Sequence, residues 1–113
     1  MSTDNQKISD LKAQIKRKTR TLINDALGFN DHDFHVQVFI LGHTNHLDMH
    51  VFVGGYEKNR EPIYILMHEP LVPYPCNYSD PAAWQEIYKK LTDAHNKLKK
   101  LRTEQTEKHW ESL

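Results

Sequence analysis

The sequence is poor in cysteine and glycine and carries no excess charge. Its one cysteine, Cys76, excludes an internal disulfide and any cysteine-rich zinc site. Among four glycines only Gly54-Gly55 are adjacent. They fall between two strand-like segments, where a bend explains them and a phosphate-cradling loop does not. Fifteen basic and fifteen acidic residues cancel, so net charge does not draw the chain to nucleic acid or anionic membrane. No apolar run nears the ~20 residues of a membrane span, and the polar stretch Met1 to Lys7 has no signal-peptide core. The expectation is a soluble, cytoplasmic protein without a membrane partner. What is present is enough for a core: 38% apolar residues and eleven Phe, Trp and Tyr in 113, the size of one small domain with frayed ends.

Residues 7 to 27 have helical spacing. Ile8, Leu11, Ile15, Leu22 and Ala26 form the stripe, Thr19, Ile23 and Leu27 widen it, and Lys18 interrupts it. Asp4 or Thr3 is placed to cap this helix and Gly28 to stop it. The period then changes to two. Phe34, Val36, Val38 and Ile40 alternate with His35, Gln37, Phe39 and Leu41. After a turn at Gly42-His43-Thr44-Asn45, Leu47, Met49, Val51 and Val53 alternate with His46, Asp48, His50 and Phe52. A hairpin pairing Leu41 with His46, Ile40 with Leu47, Val38 with Met49 and Val36 with Val51 matches every apolar-face residue to another, and a one-residue slip destroys the match.

A second turn at Gly54-Gly55 and residues 57–60 leads to a third strand, Ile63 to about His68. Its alternation leaves open which residues face the core. Pro70, Pro73 and Pro75 make residues 69 to 80 an extended strap. Asp80-Pro81 then opens a long helix, with Asp80 as cap and Pro81 in the first helical position. The expected fold is α+β, in the order α-β-β-β-α: a three-stranded antiparallel meander with two long helices on one face. Double-stranded-RNA-binding domains share this order, but their basic loop and helix signals are not evident here, and order alone assigns no family.

Trp84, Ile87, Leu91, Ala94, Leu98 and Leu101 form an apolar seam along the last helix. From Pro81 to about His109 that helix is about 43 Å long, roughly twice the length of the strands. Part of the seam must therefore pack on something besides the sheet. The first helix is one candidate. A second copy of the chain, meeting at Leu91, Leu98 and Leu101, is the other, and the chain is expected to be homodimeric.

Charge is unevenly distributed. Residues 7–20 and 89–102 each carry a net of +5, while residues 25–86 carry −7. One reading is a phosphate-binding helical face of Lys16, Arg17, Lys18, Arg20, Lys97, Lys99, Lys100 and Arg102. The plainer reading is two solvated helix faces. Eight histidines are the other unusual feature. His46, Asp48 and His50 share one face of the second strand, and one register of the third strand brings His68 opposite Asp48. Such a set could hold zinc or another divalent metal. However, residues four apart on a strand are about 13 Å apart, so His46 and His50 cannot both ligate one ion without a bulge. His35 shares that face. Asp31, His32, Asp33 and His35 could do acid–base work, although a polar connector explains them equally well.

The sheet face opposite the core would carry His35, Phe39, Leu41, His46, His50, Phe52 and, in one register, Tyr64, Leu66 and His68. Aromatics and histidines with few lysines have the composition of an interface, and Tyr74 and Tyr78 in the strap could add anchors. The alternative is that one helix, or the strap with Leu71, Val72, Tyr74 and Tyr78, covers this face within the single chain. The expected function is that of a small non-catalytic protein-binding module (an adaptor, regulator or inhibitor) without a cofactor. Nucleic-acid binding through the helices and a metal-dependent site on the histidine strand are the alternatives.

Overall fold

A computed structural model describes residues 3–31, 34–41, 45–53 and 61–111, without the side chains of Thr3, Leu41 and residues 107–111. The order is helix α1 (Thr3–Phe29), strands β1 (Phe34–Leu41), β2 (His46–Val53) and β3 (Ile63–Pro70), a 3-10 turn Pro75–Asn77, and helix α2 (Pro81–Glu111). The strands form one antiparallel sheet in the order β1-β2-β3. The expected α+β architecture is the one observed.

The β1–β2 register is the one that apolar matching demands: Leu41↔His46, Ile40↔Leu47, Val38↔Met49 and Val36↔Val51. Asn45 closes the turn with a φ of 54°, a left-handed conformation that asparagine tolerates. The glycine turn at 54–55, residues 57–60 and residues 42–44 lie outside the described residues. β3 departs from simple alternation. Met49 pairs with Leu66 but His50 pairs with Tyr64, and Leu47 pairs with Glu69, so β3 carries extra residues at two places. Ile65 and Leu66 are consequently both buried, while Met67 is exposed.

From α1 through three antiparallel strands to α2 the chain reverses four times, so α2 must run parallel to α1. Contacts follow that direction: Lys12 lies beside Trp84, Lys18 beside His95 and Asp31 beside Arg102. Both helices cover one sheet face, α1 nearer β1 and α2 nearer β3. At 1.5 Å per residue they are about 40 and 46 Å long, against about 26 Å for an eight-residue strand. Beyond the sheet they bury each other, with Ile8, Leu11 and Ile15 of α1 in one core with Trp84 and Ile87 of α2.

Three expectations need correction. Gly28 does not stop α1; the helix continues to Phe29, and the Asn30 amide still bonds to the Ala26 carbonyl at 3.0 Å. Thr3 and Asp4 lie inside the first turn rather than before it, where Asp4 favours the positive end of the helix dipole. Leu27 does not widen the stripe, being 70% exposed.

The leucines expected at a dimer seam are also placed elsewhere. Leu91 and Leu98 are buried in the core of the single chain, and Leu101 packs against that core, so α1 and the sheet already satisfy the seam. Leu98→Ala should therefore cost about 2–5 kcal/mol in urea unfolding without changing how the midpoint depends on protein concentration. Leu27→Ala should stay within about 0.5 kcal/mol. A concentration-dependent midpoint for the unmodified chain that is lost in Leu98→Ala would restore the seam as a contact between copies.

Candidate functional site

The face of the sheet away from the helices carries a row of rings. Phe39 on β1 lies 5.6 Å from His50 on β2, and His50 lies 5.0 Å from Tyr64 on β3, centroid to centroid. The row crosses all three strands because His50 pairs directly with Tyr64 and sits diagonally from Phe39, whose own partner is Asp48. Phe39 is 49% exposed and Tyr64 45%, with His50 half-buried between them. Phe52 is buried, with the His35 ring 6.1 Å away. His46 is half-buried, paired with Leu41 and Pro70. The Leu41 side chain lies outside the described ones.

The strap does not fold over this row. Leu71 and Val72 pack against the helix-side core, and the Leu71 amide bonds to the Asn45 carbonyl at 2.7 Å. Tyr74 and Tyr78 are thus not part of the sheet surface. Tyr78 stacks edge-on against Trp84 at 5.1 Å, and its carbonyl accepts the Trp84 indole N–H at 2.8 Å. The expected contact set divides between two sides of the molecule.

The candidate metal set divides as well. Asp48 and His68 do meet: the Asp48 carboxylate accepts the His68 amide at 2.6 Å and lies 3.2 Å from His68 Nδ1. His68 occupies one of the extra positions of β3, with a φ of 49°. Asp48, buried on an open face, thereby holds a bulge in place. His50 is engaged in the ring row instead, and among the described residues no three His, Cys, Asp or Glu side chains form a metal-binding group. Cys76 is exposed in the strap.

The eight basic residues do not share a face. Lys18 contacts His95, Lys97 donates to the Tyr64 carbonyl at 2.9 Å, and Arg102 pairs with Asp31 at 2.9 Å and covers the Phe34 ring. At about 100° per residue, Lys16 and Arg20 lie on the side of α1 away from α2, whereas Lys100 lies on the side of α2 away from α1. Asp31 and Asn30 have a structural role, accepting the amides of Phe34 and Val36 at 2.8 and 2.9 Å. His32 and Asp33 lie outside the described residues.

Sequence spacing did not single out His95, the one buried histidine among the described residues. It lies four residues after Leu91 and three before Leu98, on the apolar seam itself. Its Nε2–H donates to Asp25 at 2.5 Å, and its Nδ1 accepts from the Lys18 ammonium at 3.3 Å. Lys18, the residue that interrupts the α1 stripe, therefore meets the polar interruption in α2. Both ring nitrogens are used and the ring is 2% exposed, so His95 ties the helices together and leaves no nitrogen to serve as a base.

Compared with known protein families, curated proteins and solved structures, the chain matches none. No described helix is long and apolar enough to cross a membrane.

Two stability measurements check these polar contacts. His95→Ala removes a buried ring and strands Asp25 and Lys18, so it should cost at least about 2 kcal/mol. A loss under about 0.5 kcal/mol would show that the three residues do not act together. Asp48→Ala should cost about 1–3 kcal/mol by leaving the His68 amide unpaired. His68→Gly keeps that amide bond and relieves the left-handed backbone, and should stay within about 1 kcal/mol of the unmodified chain. Equal losses in the two variants would contradict the role given to the carboxylate.

Proposed function

We propose that this chain is a small non-catalytic protein-binding module, of the adaptor, regulator or inhibitor kind, whose partner docks on the outer face of the sheet. The observation that carries the reading is the row Phe39–His50–Tyr64, with its two end rings about half exposed on a face that neither helix nor strap covers. Aromatic side chains bring large contact area at low entropic cost, and such anchors dominate binding energy in protein interfaces. The row spans three hydrogen-bonded strands, so its backbone is held before a partner arrives.

We further propose that homodimers form at the edge of β1. This strand is eight residues long, pairs with β2 without a shift in register, and contains no Lys, Arg, Asp, Glu or Pro. Natural edge strands usually carry such residues or bulges, which discourage pairing with another chain. Phe34 and Val36 direct their amides away from β2, to Asp31 and Asn30. Backbone alternation points Val38 and Ile40 the same way. Ile40 is 58% exposed, and two neutral strands of the same sequence meet without charge repulsion.

Two variants separate these contacts. Phe39→Glu with Tyr64→Glu should abolish capture of native partners that the unmodified chain retains after nuclease treatment, without loss of fold by circular dichroism. Unchanged capture would remove the outer face as the docking site, and loss of all bound material with nuclease would favour the nucleic-acid reading. Ile40→Lys should reduce the mass by light scattering at tens of micromolar from about twice to once 13.3 kDa. If the unmodified chain is already a monomer at that concentration, the edge contact is wrong and the partner face is untouched.

A further inference from the structure

The helices run past the end of the sheet, and the strap climbs from Pro70 to Pro81 beside this overhang. Between the strap and α1 lies an open groove of about 510 Å³. That volume is within the ~300–1,000 Å³ range of small-molecule sites. Its floor is apolar, with Ile15, Leu71 and Trp84 among the lining residues. Along its wall stand Lys12, Lys16 and Arg20, four residues apart on one helix and therefore in one stripe.

None of the described residues lining the groove is acidic. Among the described residues, neither Lys12, Lys16 nor Arg20 makes an ion pair. Lys12 instead lies over two aromatic rings, 4.8 Å from the Tyr78 centroid and 5.2 Å from that of Trp84. Three positive charges thus flank an apolar trough with no carboxylate in it.

We propose that this groove is a binding site for a small organic anion: a carboxylate or phosphate attached to an apolar body. The apolar part lies on Ile15, Leu71 and Trp84, and the anionic head reaches Lys16 and Arg20. An anion whose apolar body also excludes water gains more from those charges than it would on an open helix. The site is separate from the ring row, on the other side of the sheet, and does not depend on the protein-binding reading.

The probes are decanoate and decyl phosphate, which share a tail and differ in head group, with decanol and inorganic phosphate as the two halves of the ligand. Fluorescence of Trp84 reports binding in a Trp110→Phe background, below the micelle concentration of each probe. Decanoate, decyl phosphate or both should bind saturably, at least tenfold more tightly than decanol and than inorganic phosphate. The pair tells which head group is preferred. Lys16→Gln with Arg20→Gln, both at exposed positions, should weaken binding at least tenfold. Lys99→Gln with Lys100→Gln removes the same charge outside the groove and should change it less than twofold. Equal binding of decanol would overturn the proposal, as would equal binding of inorganic phosphate, equal loss in the two double variants, or no saturable binding of either amphiphile.

Discussion

The mismatch between helix and strand length governs the rest of this fold. Eight-residue strands cannot cover helices of 27 and 31 residues. The uncovered lengths must bury each other, and the odd number of strands obliges them to do so in parallel. Parallel helices have parallel dipoles, which gain nothing from lying side by side. The pair is held instead by apolar packing at Leu11, Ile15, Trp84 and Ile87, and by the Lys18–His95–Asp25 contacts farther along. Those contacts join an ammonium, an imidazole ring and a carboxylate between two otherwise apolar stripes. They also favour one sliding register of the helices, since no other brings all three side chains together.

The same mismatch positions the strap. β3 ends at the level of the β1–β2 turn, while α2 begins well beyond it, so the ten residues 71–80 must cross the overhang. Three prolines in residues 70–75 keep the first part of that path extended, and Leu71 and Val72 tie it to the core. Spending the strap there leaves the outer face of the sheet without it. One topological requirement therefore produces both a trough beside α1 and an uncovered row of rings.

Much of this was legible in the sequence, for physical reasons that vary by element. The β1–β2 register was readable because burial of one face penalises every slip at once. The α2 seam was readable because Trp84 to Leu98 recur at helical spacing. β3 was not, since its two irregularities place Ile65 and Leu66 on the buried side together, and no residue pattern announces a bulge held by a carboxylate on the neighbouring strand. The leucine seam was read correctly as apolar but left its partner open, because a stripe fits a second helix of the same chain as well as a second copy. His95 carried a usable signal. A polar residue on an apolar stripe needs a partner, and Lys18 was the matching interruption on the other helix. The trough could not be read at all, since it depends on the path of the strap, which prolines restrict but do not determine.

Asp48 shows how little polar chemistry the outer face needs in order to be ordered. A buried carboxylate on a sheet surface would ordinarily be costly. Here it accepts a backbone amide and faces an imidazole from the next strand, so its burial is compensated where β3 leaves regular pairing. That irregular edge, with the Tyr64 carbonyl also taken by Lys97, is poorly suited to adding a strand. β1 has neither feature beyond Val36. The two edges of one small sheet thus differ in kind. One is bent and charged, the other straight and neutral, and the aromatic row between them offers area without charge. On the protein-binding reading proposed above, Phe39 and Tyr64 would supply the contact area, and the asymmetry of the edges would set the partner's orientation.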